Sequence, residues 1–270
     1  MDDGPRPEAT ANRDRRRVWT TRRGERGREE ILRATIASFA EVGYARTTTS
    51  EVAKRAGVTR GLVQHHFPST PHLLRAAVER LQAEMDLEFD EGFAQASRDG
   101  ADIIEDAVRI TLAQAAGPLQ RAWRQLQAAA LTNPSLKAVL DERRMAMEGG
   151  RRGRLQRLYP EVAALDPAGF DLIADYMQLF MAALADATYA EREAERKAQL
   201  AAFHIATIRR FWADLGKSPA AVDAGTVRAR AAAMAAEDRL KLERALSLVH
   251  ETERLVRAAM ESGSAAAGEG

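Results

Sequence analysis

Cysteine is absent from this 270-residue chain, which excludes disulfides, thiolate metal ligands and a cysteine nucleophile. Aromatic residues are scarce, at 6% against 46% hydrophobic residues overall, with alanine and leucine abundant. There is also little of the strict apolar–polar alternation that marks half-buried strands, so an all-α protein is expected. No uninterrupted apolar run approaches the ~18 residues of a membrane-crossing helix, and the N-terminus is charged rather than signal-like. A soluble, cytoplasmic protein with no membrane partner follows as the expectation. Neither a glycine-rich phosphate loop after a strand nor a convincing set of nucleophile, base and orienting group is present. No cofactor, no metal and no enzymatic activity are therefore expected.

The formal net charge of +1 says little, but its distribution says more. Eight arginines fall between Arg13 and Arg28 against only Asp14 and Glu25. Residues 1–24, rich in Pro, Gly, Asp and Arg without apolar periodicity, read as a disordered basic arm. Such an arm can follow phosphates or enter a minor groove, with Arg22 and Arg23 among its candidate contacts; the alternative is a solvated tail.

The most informative stretch is Thr47 to Phe67, TTTSEVAKRAGVTRGLVQHHF. Thr48 followed by Glu51 is a capping box: the hydroxyl accepts the N–H of residue 51 while the carboxylate reaches back to the cap N–H. Val52, Ala53 and Ala56 form the apolar face of that helix, and Gly57 supplies the left-handed residue that ends it. Thr59 is placed to cap a second helix running to about His66, with Val63 and Phe67 on its buried side. Gly61 and His65 then point away from the core, flanked by Leu62 and Gln64. Two short helices joined by a glycine turn, with a basic and polar outer face, make a DNA-reading helix-turn-helix.

These residues also carry a resemblance. EEILRATIASFAEVGY from Glu29 to Tyr44, TTSEVAKRAGVTRG from Thr48 to Gly61, HHFPS from His65 to Ser69, and Leu73-Leu74 together resemble the DNA-binding domain of the TetR-type family of bacterial transcriptional regulators. The likeness covers the first third of the chain. It implies an N-terminal three-helix DNA-binding domain followed by a larger helical domain for effector binding and dimerisation. Leu62 and Gln64 stand where the family usually has threonine and tyrosine, and Thr70 stands where a lysine usually follows the serine. The tyrosine and lysine commonly touch the DNA backbone in this family, so its usual contact set does not carry over whole.

The chemistry of the exposed residues gives the candidate DNA contacts. Gln64 can make paired hydrogen bonds to adenine, Leu62 can meet a thymine methyl, and His65 can donate to guanine or phosphate. Arg60 reaches a phosphate or a base edge, and Gly61 lets the backbone approach the groove. Thr48, Thr59 and Thr70 suit phosphates, although Thr48 and Thr59 are equally explained as caps. His65, His66 and His72 lack the cysteine or carboxylate companions of a metal site.

The remainder reads as helices: residues 25–85 form the DNA-binding domain, with Ser69 as cap of a long linking helix, and 86–216 the effector and dimerisation domain. One helix starts at Asn133-Pro134, with a possible interruption at Gly149, Gly150 and Gly153, and another opens at Asp166-Pro167. Trp123, Tyr176 and Met177 are candidates for an effector pocket, the alternative being ordinary core. Phe180, Leu184, Phe203 and Phe211 lie on stripes that the resemblance places in a homodimer interface, and that can equally face the protomer's own core. Residues 217–262 read as an additional amphipathic helix and 263–270 as a disordered tail. The expected function is a dimeric regulator, a repressor released from a palindromic operator in double-stranded DNA by a small-molecule effector. The alternative is a helical interaction protein whose extended C-terminal helix recruits a partner.

Overall fold

The computed structural model describes residues 26–96, 102–216 and 222–244, and among these no strand occurs. The arm with Arg22 and Arg23, the tail from residue 263 and the apolar positions of the extension from Leu246 onward lie outside the described residues. Helix α1 covers residues 26–42 and buries Leu32, Ile36, Phe39 and Ala40, the stripe its spacing predicts. A 3-10 turn at Tyr44–Arg46 leads into α2 (Thr49–Ala56) and α3 (Arg60–His66), and α4 (Thr70–Ala94) follows. Then come α5 (Ile103–Ala116), α6 (Pro118–Ala130), α7 (Pro134–Leu158), the one-turn α8 (Pro160–Ala163), α9 (Pro167–Asp186) and α10 (Glu193–Asp214). A last helix, α11, is described over 224–244.

Several of these helices begin where side chains satisfy the first free backbone N–H groups. Asn133 accepts from the N–H of Leu136 at 3.0 Å and Asp166 from that of Gly169 at 3.0 Å, as the sequence suggests. Ser69 behaves differently from expectation: it occupies the cap position of α4, but its hydroxyl is bonded to His72 Nδ1 at 2.8 Å instead of to a backbone N–H. Helix α7 also departs from the reading of its glycines, since it runs unbroken through Gly149, Gly150 and Gly153. Its two ends are buried in different cores, and that packing outweighs a propensity cost near 1 kcal/mol per glycine.

Two cores exist, and α4 belongs to both. Leu73, Leu74, Ala77, Val78 and Leu81 join α1, α2 and α3 in the first, while Phe89 and Phe93 enter the second. The expected boundary after residue 85 thus falls inside this helix. The first core is not confined to the N-terminal residues, because Ala122, Trp123 and Leu126 of α6 and Leu136, Val139 and Leu140 of α7 also fill it. The second core gathers α5, the C-terminal end of α7, α8, α9, α10 and α11. Close approach between α4 and α5 depends on Gly92: a Cβ there would lie 2.8 Å from Ile110 Cγ2 and from Gln114 Nε2. Gln114 Nε2 donates to the Glu88 carbonyl at 2.7 Å beside this contact.

The described part of α11 folds back on its own protomer. Val227, Ala231 and Met234 are buried in the second core, and Arg230 donates to the Leu158 carbonyl at 3.0 Å. Its Asp238 also completes a buried ion cluster. Arg154 of α7 meets Asp238 at 2.5 Å and Asp86 at 3.2 Å, and forms a short pair with Asp90; Asp90 is fully buried. Burial pushes the Asp90 carboxyl up to about 6 against the pull of Arg154, so it is ionised and paired at neutral pH.

Removing one partner from such a cluster leaves uncompensated buried charge, whereas an isolated surface pair contributes little. Arg154→Met, which leaves three carboxylates facing one another, is expected to cost about 3–5 kcal/mol in urea unfolding. Adding Asp90→Asn to that variant is expected to restore part of the loss. A loss under about 1 kcal/mol would show that the cluster contributes little.

Candidate nucleic-acid interface and helical-body cavity

The α2–turn–α3 unit is built from the residues that sequence singles out. The Thr48 hydroxyl accepts from the Glu51 N–H at 3.2 Å and the Thr59 hydroxyl from the Leu62 N–H at 3.2 Å. Gly57 ends α2 with φ 65°, ψ 28°, the left-handed geometry that costs glycine nothing. Val52, Ala53, Val63 and Phe67 are buried together against α1 and α4. One half of the capping box does not form. The Glu51 carboxylate accepts from Arg55 Nε at 2.5 Å, and the Thr48 N–H goes to the Arg46 carbonyl at 3.1 Å. Arg55 also bonds Glu41 of α1 at 2.5 Å, so the carboxylate is diverted into a bridge that fixes α2 against α1.

With the inner face fixed, the outer face is set. Thr48, Thr59, Arg60, Gly61, Gln64, His65 and Thr70 are all exposed. Leu62 is half-buried instead of fully outward, lying where a Cβ on Gly27 would meet its Cδ2 at 3.4 Å; the start of α1 covers part of it. That reduces its surface for a thymine methyl. Sequence reasoning passed over Arg46 and Lys54, two further exposed cations of this unit without a carboxylate partner among the described residues. Neither sits in a motif, and their lack of a partner becomes visible only in three dimensions. His66 and His72 follow local partners: His66 lies edge-on to His65, with centroids 5.3 Å apart, and His72 bonds Ser69.

In the helical body an apolar cavity of about 40 Å³ opens between α5, α9 and α10, bordered by Ile104, Tyr159, Phe170, Met177, Ile208 and Trp212. Of the three sequence candidates, Met177 lines it. Trp123 is packed instead in the first core with α2 and α3, and the Tyr176 ring lies tilted against Phe180 and His204, the centroids 5.9 and 5.1 Å away. Tyr159, Phe170 and Trp212 are lining residues that periodicity could not assign, since they come from three separated segments. Of the four residues expected at a dimer interface, Phe203 is 66% exposed, Leu184 is buried in its own protomer, and Phe180 and Phe211 are half-buried. Leu172 and Leu179, each 72% exposed, lie on the outer side of α9 and were not singled out.

A helix-turn-helix with an exposed second helix, joined through one long helix to a larger helical body, defines the class. Residues 31–77 match the family described as bacterial regulatory proteins, tetR family. An HTH-type transcriptional regulator BetI of Stenotrophomonas maltophilia is 31% identical over 115 residues, covering 40% of this chain and 57% of that protein. BetI 2 of Chromohalobacter salexigens is 27% identical over 150 residues, covering 52% of this chain and 70% of that one. This chain thus spans little more than half the length of the first of these relatives. A transcriptional regulator of Rhodococcus sp. Rha1 shares the fold at TM-score 0.51 and 22% identity, over 68% of this chain and 96% of that chain. A TetR-family structure from Mesorhizobium loti does so at TM-score 0.50 and 21% identity, over 71% and 97%. Residues 31–77 are thus similar to the N-terminal domain of the tetR family of bacterial regulatory proteins, and the fold is the one these solved regulators share.

One group in the body responds to pH. His204 of α10 is fully buried, lies flat on Phe180 at 4.5 Å, and has no hydrogen-bond partner at either ring nitrogen. Burial pushes its pKa down to about 4. An unfolded histidine takes up its proton near 6.5, so between about 6.5 and 4 the unfolded chain binds more protons and stability falls as pH falls. His204→Phe is expected to remove this contribution, so that wild type loses on the order of 2–3 kcal/mol relative to the variant by pH 4. Parallel pH profiles of the two unfolding curves would contradict it.

Proposed function

We propose that this protein is a dimeric, sequence-specific DNA-binding regulator, acting as a repressor released from an approximately palindromic operator by a small-molecule effector. The observation that carries the reading is the exposed face of α3, held outward by the Thr59 cap and the burial of Val63 and Phe67. A second helix presented this way enters the major groove, and two-fold symmetry of the protein demands two-fold symmetry of the site. Gln64 and His65 read base edges; Thr48, Thr59, Arg60 and Thr70, with Arg46 and Lys54, serve phosphates. The basic arm adds phosphate contacts independent of sequence.

Support for the dimer comes from α9. Its most apolar stretch has mean hydropathy 1.2, enough by length and composition for a membrane-crossing helix, yet only 22% of it is buried. Asp171 and Asp175 within it are tied to Gln156 and Arg152 of α7 at 2.8 and 3.2 Å. Leu172 and Leu179, seven residues apart, share one face of α9, and Phe203 of α10 adds to the exposed apolar surface. A second copy of the same pair of helices covers such a surface with like chemistry.

Two outcomes test this reading. Gln64→Ala is expected to cost about 1–3 kcal/mol on the preferred DNA and much less on variants at the base pair it reads, measured by titration of labelled duplexes. Equal loss on every duplex would argue against Gln64 as a reader. Leu179→Glu is expected to convert the dimer to monomer in light scattering while leaving the helical circular dichroism unchanged; an unaltered dimer mass would move the interface elsewhere.

A further inference from the structure

Among the residues lining the cavity between α5, α9 and α10, Tyr159 carries a buried hydroxyl that an occupant displacing the wall could reach. Tyr159, between α7 and α8, is buried with its ring edge-on to Trp212, the centroids 5.8 Å apart, and its hydroxyl has no hydrogen-bond partner. Burial pushes its pKa well above the usual tyrosine value, so the group is a neutral O–H donor at every physiological pH. A buried hydroxyl left unpaired costs on the order of what a partner would restore. Water is a poor candidate for that partner. The cavity is large enough for one, but an ordered water needs two to four polar neighbours and the other lining side chains are apolar except for the Trp212 indole N–H.

Charge is excluded by the same wall. Among the described residues no Asp, Glu, Lys or Arg lines the cavity, and the nearby Asp106 is already paired with Arg109 at 2.7 Å. An ion entering here would give up its hydration without a counter-charge. The volume of about 40 Å³ is less than an aromatic ring occupies, so an occupant must displace part of the wall. Helix α9 is the side that can yield. It contributes Phe170 and the flexible Met177 to the cavity, while on its opposite face Leu172 and Leu179 are each 72% exposed among the described residues.

We propose that this cavity binds an uncharged, ring-sized apolar molecule bearing one hydrogen-bond acceptor, which takes the Tyr159 O–H. The proposal specifies the effector of the function proposed above and rests on that reading for its consequence at DNA. Binding itself stands apart from it.

The test uses the full chain and four probes of similar size: acetophenone (neutral, one acceptor), ethylbenzene (no polar group), benzoate and benzylammonium. Calorimetric titration and thermal shift are expected to show acetophenone binding about fivefold more tightly than ethylbenzene, with neither ion binding measurably. Tyr159→Phe, which removes only an unpartnered hydroxyl, is expected to retain the fold and bring acetophenone down to the affinity of ethylbenzene. Ala174→Leu, which fills the cavity from α9, is expected to abolish both. If that variant does not fold, Tyr159→Phe decides alone. Equal binding of an ion, an acetophenone preference that survives Tyr159→Phe, or no binding of either neutral probe overturns the proposal. Acetophenone binding that leaves the DNA complex intact supports the ligand class and sinks the effector reading instead.

Discussion

A 25-residue helix is about 37 Å long and behaves as a rod, so a tilt imposed at one end appears at the other. Helix α4 is such a rod, with its first turns locked among α1, α2 and α3 and its last turns among the helices of the body. Neither core is complete without it. The orientation of α3 is consequently set within packing in which α6 and the start of α7 take part, since Trp123, Leu126 and Leu136 belong to the same core as the residues that hold α2 and α3. The α2–α3 unit therefore shares its core with the body instead of packing on its own.

The far end of this rod is held by charge as well as by apolar contact. Arg154 draws together Asp86 and Asp90 of α4 and Asp238 of α11; Arg154 and Asp90 are buried, while Asp86 and Asp238 are half-buried. Buried ion clusters are weak sources of net stability, but they penalise any arrangement that separates their members. That makes the cluster a device for position: it sets the register of α11 on α4 and α7. The described part of the C-terminal extension is thereby part of the body, contributing Val227, Ala231 and Met234 to the core and Asp238 to the cluster.

Local features of this fold were legible in the sequence because their causes are local. Thr48, Thr59, Asn133 and Asp166 cap helices through hydrogen bonds spanning three residues, and Gly57 turns the chain by its own backbone freedom. What was not legible depends on distant partners. Glu51 is captured by an arginine that is itself held by Glu41, and no spacing rule foresees that competition. Trp123 and Leu184 have the periodicity of a lining or interface residue, yet which surface covers them is decided by helices far away in the chain. The same blindness hid Tyr159, Leu172 and Leu179, whose significance comes from what they lack among the described residues: a hydrogen-bond partner in one case, a covering surface in the two others.

Communication between cavity and DNA under the proposed function has a definite physical route through α5. Ile104 walls the cavity at one end of this helix, and Ile110 and Gln114 press on Gly92 of α4 toward the other. At Gly92 the helices are so close that not even a methyl group fits, so a shift of α5 finds no slack there and must be taken up by α4. On its other side the cavity is walled by α9, whose outer face is the proposed dimer surface. An occupant that pushes the wall outward therefore acts on both determinants of half-site spacing, the tilt of α4 and the seating of one protomer on the other. A coupling of only about 1–3 kcal/mol suffices for a 5- to 150-fold change in DNA affinity. That is comparable to the cost of a few displaced contacts in a packed core, which is why a single small molecule is enough to drive the change.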